Sequence, residues 1–157
     1  MNAKIIFISM FAAVMVIFLF LLNCPRIPSA FVCTAKSHVF LHTQKEGVSI
    51  EGEVLLVLRI SSAEEGAFSQ VGVLDVNGKH YAINRSTTLS FLREDSDGYL
   101  RTQRIAVVKN DNDDLPDEIT NLLMSKQQLF YYKIIHITDN VYGVRDLRRT
   151  LMVCRAK

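Results

Sequence analysis

The sequence lacks the compact motifs that mark most enzymes. It contains no Gly-x-Ser-x-Gly, no phosphate-binding P-loop and no His-Glu-x-x-His, so no motif of these kinds supplies a nucleophile, a nucleotide cradle or a zinc-protease pair. Its three cysteines and four histidines do not follow a zinc-ligand spacing. His38 and His42 would share one face of a strand, but two ligands do not complete a metal site. We therefore predict that the protein is not an enzyme and uses no cofactor.

An excess of basic charge is also missing from most of the chain. Lys4 and Arg26 are the only charged side chains in the first 30 residues, so the other 127 carry 16 basic and 16 acidic side chains. A domain that binds nucleic acid normally carries a basic excess on one face. Direct binding to nucleic acid is therefore not expected, and 127 residues suffice for one domain but not for two.

The longest apolar run is Ile5–Leu22, eighteen residues without a charge. A helix of this length spans about 27 Å at 1.5 Å per residue, close to a bilayer core of about 30 Å. Lys4 and the terminal amine precede the run, which favours a cytoplasmic N-terminus. We therefore predict a cytoplasmic tail (1–4), a single transmembrane anchor (5–24) in a bacterial inner membrane, and a periplasmic C-terminal domain.

A cleaved signal peptide and an acylated lipoprotein are the alternatives to this anchor. The apolar region of a signal peptide is usually about 7 to 15 residues long and ends in an Ala-x-Ala-like site, whereas here the nearest candidate is Pro28-Ser29-Ala30. Asn23 stands where a small residue would precede an acylated Cys24. The uncleaved anchor is favoured, with Pro25 and Pro28 ending the helix within a linker of residues 25–30.

The domain of residues 31–157 alternates between β-prone runs and turn signals. Asn77-Gly78 supplies the two positive φ values of a type I′ turn and predicts a hairpin, and Asp95-Ser96-Asp97-Gly98 predicts a second hairpin with a longer loop. Residues 141–149 are predicted to form a turn region. The predicted strands are 37–42, 49–60, 71–76, 79–83, 86–93, 99–109, 129–137 and 151–154, and no internal repeat is present.

Residues 110–114 form an acidic loop, which we compare with a calcium loop. Asp111 and Asp113 fit the alternating spacing of calcium ligands, but Leu115 and Pro116 follow and there is no glycine. A solvated loop before a helix is therefore favoured. Pro116 and two acidic residues begin an amphipathic helix that is predicted to reach about Gln127.

This pattern predicts a mainly β fold with one helix, in the α+β class. We expect an antiparallel sheet that curls into a partly open barrel, with the helix covering one face.

Cys33 lies near the start of the domain and Cys154 near its end. Because free thiols rarely persist in an oxidising compartment, a disulfide between them is favoured over two unrelated buried thiols. Cys24 is then left over, either free or paired between chains.

The histidines suggest a pH-sensing role. His38, His42, His80 and His136 all lie on predicted strands, and the imidazole pKa of about 6.5 is close to mild acidity. Taken singly, each is more typical of an ordinary surface or core residue. We hypothesise that one or more of them titrates and changes how the domain packs against a partner.

The layout as a whole resembles a family of small membrane partner proteins. The resemblance rests on Phe31-Val32-Cys33, residues 71–85, residues 91–100 and Met152-Val153-Cys154-Arg155. On these features the chain is similar to the MyfF and PsaF type of Yersinia fimbrial regulators and, more distantly, to FidL-like, VtrC-like and ToxS-like proteins.

The resemblance implies a heterodimer with a membrane-anchored winged-helix transcription regulator. The small partner binds the regulator's periplasmic domain and stabilises or activates it in response to a cue such as acidic pH or temperature. In the VtrC branch the two chains form a lipocalin-like barrel that binds a bile salt. The output of the fimbrial branch is transcription of fimbrial and virulence genes.

Two other functions compete with this interpretation. One is a periplasmic fimbrial assembly factor or chaperone that handles subunits by strand addition, although such chaperones are usually soluble after signal cleavage. The other is a stand-alone lipocalin-like binder of a small hydrophobic ligand.

Overall fold

The computed structural model describes residues 11, 13–16, 30–43 and 47–156, and residues 11 and 13–16 are helical. The rest of the predicted anchor (5–24), including Cys24, and residues 25–29 of the predicted linker lie outside the described residues. Within the described ranges, no helix combines the length and the apolar character needed to cross a membrane.

Strands dominate the domain of residues 31–157, as predicted for a mainly β fold. Within 30–43 and 47–156, the elements in chain order are β1 (Phe31–Thr43), β2 (Val48–Ile60), β3 (Glu65–Val76), β4 (Lys79–Glu94), β5 (Leu100–Lys109), α1 (Asp117–Leu123), β6 (Leu129–Thr138), β7 (Val141–Arg145) and β8 (Thr150–Ala156). Each strand pairs antiparallel with the next, and β8 pairs with β1. The eight strands therefore form a closed antiparallel barrel.

This closure shows that the prediction of a partly open barrel was wrong. β1 begins at Phe31 rather than at 37, and β8 ends at Ala156 rather than at 154. These extensions place Cys33 opposite Ala156 and Thr34 opposite Arg155. The predicted strand ends were too short because the missed residues gain their β structure by pairing: residues 31–36 pair with residues 55–60 of β2, and Arg155 pairs with Val141 of β7 and with Thr34.

The seam that closes the barrel is short. β1 pairs with β2 over residues 31–43 but with β8 only at Cys33 and Thr34. Likewise, β5 pairs with β6 only over residues 100–103, and the rest of β5 pairs with β4 alone. Among the described strands, residues 35–43 and 104–109 therefore have a strand neighbour on one side only.

Both predicted hairpins are confirmed. Asn77 (φ 53°) and Gly78 (φ 83°) form the two-residue turn between β3 and β4. The Asp75 carboxylate accepts a hydrogen bond from the Gly78 N–H at 2.7 Å. The second hairpin joins β4 to β5, and Asp95 organises its loop by accepting hydrogen bonds from the N–H groups of Asp97 and Tyr99.

Three further strand assignments needed correction. β3 begins at Glu65 rather than at 71. Residues 79–83 and 86–93 form one continuous strand, β4, because Asn84 and Arg85 between them pair with Val71 and Gln70 of β3. Residues 141–145, predicted as a turn region, form β7. Gly143 is the reason that β7 fits against β6, since a Cβ there would lie 2.9 Å from Cγ1 of Ile135.

Two apolar clusters make up the core. The first includes the disulfide and residues such as Phe31, Leu58, Phe91 and Met152. The second centres on Ile50, Val54, Leu74, Ile83 and Leu115. The partly buried side chain of Leu56 packs against both clusters, so the barrel interior is continuous from the disulfide to α1.

Candidate functional site

A cavity of about 170 Å³ lies between α1 and the inner face of the barrel. A dry cavity of about 150 Å³ can bind a molecule the size of benzene, so this space admits a small apolar molecule. Strands β1 to β4 contribute Ser37, Val39, Val54, Leu56, Gln70, Leu74 and Ile83 to its lining, and the α1 region contributes Leu115, Thr120, Leu123 and Met124.

Apolar side chains along one face of α1 hold the helix over this cavity. Ile119, Leu122 and Leu123 lie at helical spacing and pack against the second core cluster, as the amphipathic pattern predicted. Pro116 (φ −59°, ψ 146°) precedes the first helical residue, and acidic residues occupy the first turn, which suits the helix dipole.

The helix is shorter than predicted. It ends at Leu123 rather than near Gln127, because Met124 is extended (φ −114°, ψ 137°). The following residues, 125–128, are polar and exposed, so they have no apolar surface to bury by continuing the helix.

The acidic loop of residues 110–114 takes the place of a strand beside β4. The N–H groups of Ala82 and Asn84 donate to the carboxylates of Asp114 (2.6 Å) and Asp113 (2.9 Å). The carbonyl groups of Ala82 and Asn84 accept from the N–H groups of Asp114 (3.2 Å) and Asn110 (3.1 Å). The backbone groups of β4 that β5 leaves without a partner are thus paired with the loop backbone and with its carboxylates.

Arg85 and Asp113 form a buried ion pair beneath this loop. The guanidinium donates from Nε to Oδ2 (2.7 Å) and from Nη2 to Oδ1 (3.0 Å), in the bidentate geometry of a strong charge-assisted pair. Only 4% of the Arg85 side chain and none of the Asp113 side chain is exposed. Nη2 also donates to the carbonyl of Leu115 (2.8 Å), so Arg85 fixes the chain immediately before α1.

The surroundings of Asp113 favour its ionised form. Burial by itself would raise the pKa of Asp113. Hydrogen bonds from Arg85 and from the Asn84 N–H, together with the positive charges of Arg85 and Lys109, nevertheless hold that pKa below its ordinary value of 3.8. The Lys109 Nζ lies 3.7 Å from Oδ1 and donates to the Leu115 carbonyl (3.1 Å).

Sequence reasoning missed this pair and predicted a solvated loop instead. Asp111 is exposed, as predicted, whereas Asp113 is buried. The sequence alone does not reveal the pair, because Arg85 is seen to face inward only when its register partner on β3, Gln70, is known to line the cavity. Because opposed residues in an antiparallel pair share a face, an inward-facing arginine implies an acidic partner inside the barrel.

The four histidines do not meet in one cluster. His38 lies 3.4 Å from Glu53 across β1 and β2, and His80 lies 3.4 Å from Asp75 across β3 and β4. His42 is exposed beyond Phe40 on the same face of β1 as His38, as predicted. His136 is exposed, and its Nε2 lies 2.8 Å from the carbonyl oxygen of Asp139. Their pH-sensing role stays a prediction.

No metal centre emerges from residues 30–43 and 47–156, where no three His, Cys, Asp or Glu side chains are grouped to hold an ion. The predicted disulfide is confirmed: Cys33 and Cys154 are bonded, with their Cα atoms 5.4 Å apart. Both cysteines are buried in the first core cluster.

These features define a small antiparallel β-barrel with an internal disulfide, and a helix that lies over an apolar cavity. The family model for FidL-like putative membrane proteins matches residues 72–154, which is more than half of the 157 residues. The chain therefore belongs to the FidL-like family. Neither a curated protein nor a solved structure matches the chain.

Proposed function

We propose that this protein is an inner-membrane accessory protein that pairs through its β-barrel domain with a membrane-anchored winged-helix transcription regulator. In this function it stabilises or activates the regulator in response to acidic pH, temperature or a small ligand. The anchor predicted at 5–24 would confine both proteins to the membrane plane, which raises their effective concentration for each other.

The exposed edge of β5 is the observation that best supports this proposal. Ile105, Val107 and Val108 are 58%, 44% and 52% exposed, and the strand has a neighbour only on the β4 side beyond residue 103. Proteins usually protect such edges because unpaired backbone groups recruit another strand. Strand addition from a partner chain would cover both the apolar side chains and the edge.

Charge favours a different chain over a second copy as the source of that strand. β5 contains Arg101, Arg104 and Lys109 but no acidic residue. Pairing two β5 strands would oppose like charges, which is destabilising. An apolar strand flanked by acidic residues would fit this edge better.

Co-purification from membranes tests the pairing. Full-length protein carrying Val107→Lys is expected to lose most of its yield of co-expressed regulator, because a charge on the edge opposes strand addition. Val73→Lys is the matched control: Val73 is 55% exposed, but β3 is paired on both sides. Equal yields of regulator from the two variants would contradict pairing at β5.

In this proposal the paired regulator promotes transcription of fimbrial or other virulence genes, as in regulators of the MyfF and PsaF type. Deleting this protein is expected to lower regulator abundance and transcription from a fimbrial promoter. A reporter strain in which the Val107→Lys variant is expressed at normal levels separates loss of pairing from loss of the protein. Full transcription in the deletion strain would exclude this output.

The cavity beneath α1 favours a second candidate function, binding of a small apolar ligand without any regulator. Isothermal titration calorimetry of the purified protein with indole tests this second function. Val39→Phe is expected to weaken binding because Val39 lines the cavity and the larger phenyl ring would fill part of its volume. Absence of heat with wild-type protein at millimolar indole would remove indole-sized ligands as candidates.

A further inference from the structure

We propose that residues 110–124 form a lid on the barrel, and that the Arg85–Asp113 ion pair is the latch that holds this lid closed. The inference concerns this chain alone and does not depend on the proposed regulator. When the lid is closed, the loop of residues 110–114 lies along β4 and α1 covers the cavity.

The lid is anchored mainly at its first half. Asp113 and Leu115 are buried. The Asp113 carboxylate accepts a hydrogen bond from Arg85, and the Leu115 carbonyl accepts hydrogen bonds from both Arg85 and Lys109. By contrast, α1 has seven residues, none of them buried, and no side-chain N-cap hydrogen bond. A helix this short is not stable without tertiary support, so the position of α1 depends on the packing of its apolar stripe against the core and on the anchor that precedes it.

The remainder of the barrel is held in a different way. β1 to β4 are joined by long ladders, 13 pairs between β1 and β2 and 12 between β3 and β4. Proteins open locally where few buried contacts and few ladder hydrogen bonds hold a segment. The free energy of opening is therefore lower for the lid than for the strands. The Arg85–Asp113 ion pair determines how much free energy the opening of the lid requires.

Opening the lid would uncover two surfaces together. The apolar cavity would lose Leu115, Leu123 and Met124 from its lining. The backbone groups of Ala82 and Asn84 on β4 would lose their loop partners. Access to the cavity and exposure of a strand edge are consequently coupled through one movement, controlled by one ion pair.

Hydrogen exchange on the full-length protein in detergent micelles, followed by mass spectrometry, tests the latch. In Asp113→Asn we expect at least tenfold faster exchange for the amides of residues 120–124 and for Ala82 and Asn84. The amides of Val54 and Leu58 in β2 should stay better protected than these amides in both proteins, because they exchange only when the strands themselves open. Asp111→Asn is the matched control, since Asp111 is an exposed acid in the same loop.

Two results would overturn the proposal. Unchanged exchange in α1 would mean that the ion pair does not hold the helix. Equal protection of the α1 amides and the β2 amides in wild-type protein would mean that the lid opens only when the whole barrel unfolds. Wild-type protein gives an independent measurement if the variant fails to fold: exchange of residues 120–124 should depend little on urea, as local opening does, and a global urea dependence there would also exclude the lid.

Discussion

The sulfur atoms of Cys33 and Cys154 join β1 to β8 across a separation of 121 residues. They lie beside the two residue pairs that close the barrel, Cys33 with Ala156 and Thr34 with Arg155. A seam with so few pairs depends strongly on this covalent bond, and the first prediction follows from that dependence.

Replacing both bonded cysteines with serine is expected to lower the free energy of unfolding by about 4 to 5 kcal/mol, the upper range for a loop of this length in the chain-entropy treatment. Urea unfolding of the full-length protein, monitored by circular dichroism, measures the loss. Cys24→Ser should leave the unfolding midpoint unchanged. A midpoint for the double variant equal to that of the wild type would show that the seam does not need the bond.

Removing the Asp113 carboxylate should cost more than removing an exposed acid. Asp113→Ala leaves the buried Arg85 guanidinium without its counter-charge, and breaking a buried pair in this way costs about 3 to 5 kcal/mol. Asp111→Ala is expected to change stability by less than about 0.5 kcal/mol, as exposed substitutions do. The same urea titration compares the two, and similar losses would argue against a stabilising role for the buried pair.

The contribution of Asp113 should depend on pH in a defined direction. Because its folded-state pKa lies below the ordinary value of 3.8, its stabilisation is complete above that value and is lost as pH falls through the folded pKa. The stability difference between wild type and Asp113→Asn should therefore be constant from pH 7 to 5 and shrink below pH 3.8. A difference that already shrinks between pH 7 and 5 would contradict this assignment.

The histidine hypothesis predicts an effect at milder acidity. Protonation would add charge attraction to the pairs His38–Glu53 and His80–Asp75, which span neighbouring strands. Replacing His38, His42, His80 and His136 with Gln should abolish any change in regulator co-purification between pH 7 and 5.5. Stability at pH 7 should change little, because exposed pairs contribute at most about 1 kcal/mol. An intact pH response in this variant would refute the hypothesis.

Local sequence signals determined much of this fold. Asn77-Gly78 predicts its turn because two consecutive positive φ values suit few other residue pairs, and Pro116 with its following acids predicts where α1 begins. The continuous β-prone run Val54–Leu58 predicts a strand from its own composition. The oxidising compartment expected for the domain also led to the Cys33–Cys154 pair.

Only the tertiary structure decided which of these elements would meet. Barrel closure depends on Thr34 meeting Arg155, and β7 forms because Gly143 leaves room for Ile135. The burial of Asp113 depends on Arg85, which lies 28 positions earlier in the chain. Sequence periodicity reports what is near along the chain, whereas a carboxylate is stable inside a barrel only when folding brings a cation to it. The apolar helix pattern was therefore visible in the sequence, but the ion pair that fixes its position was not.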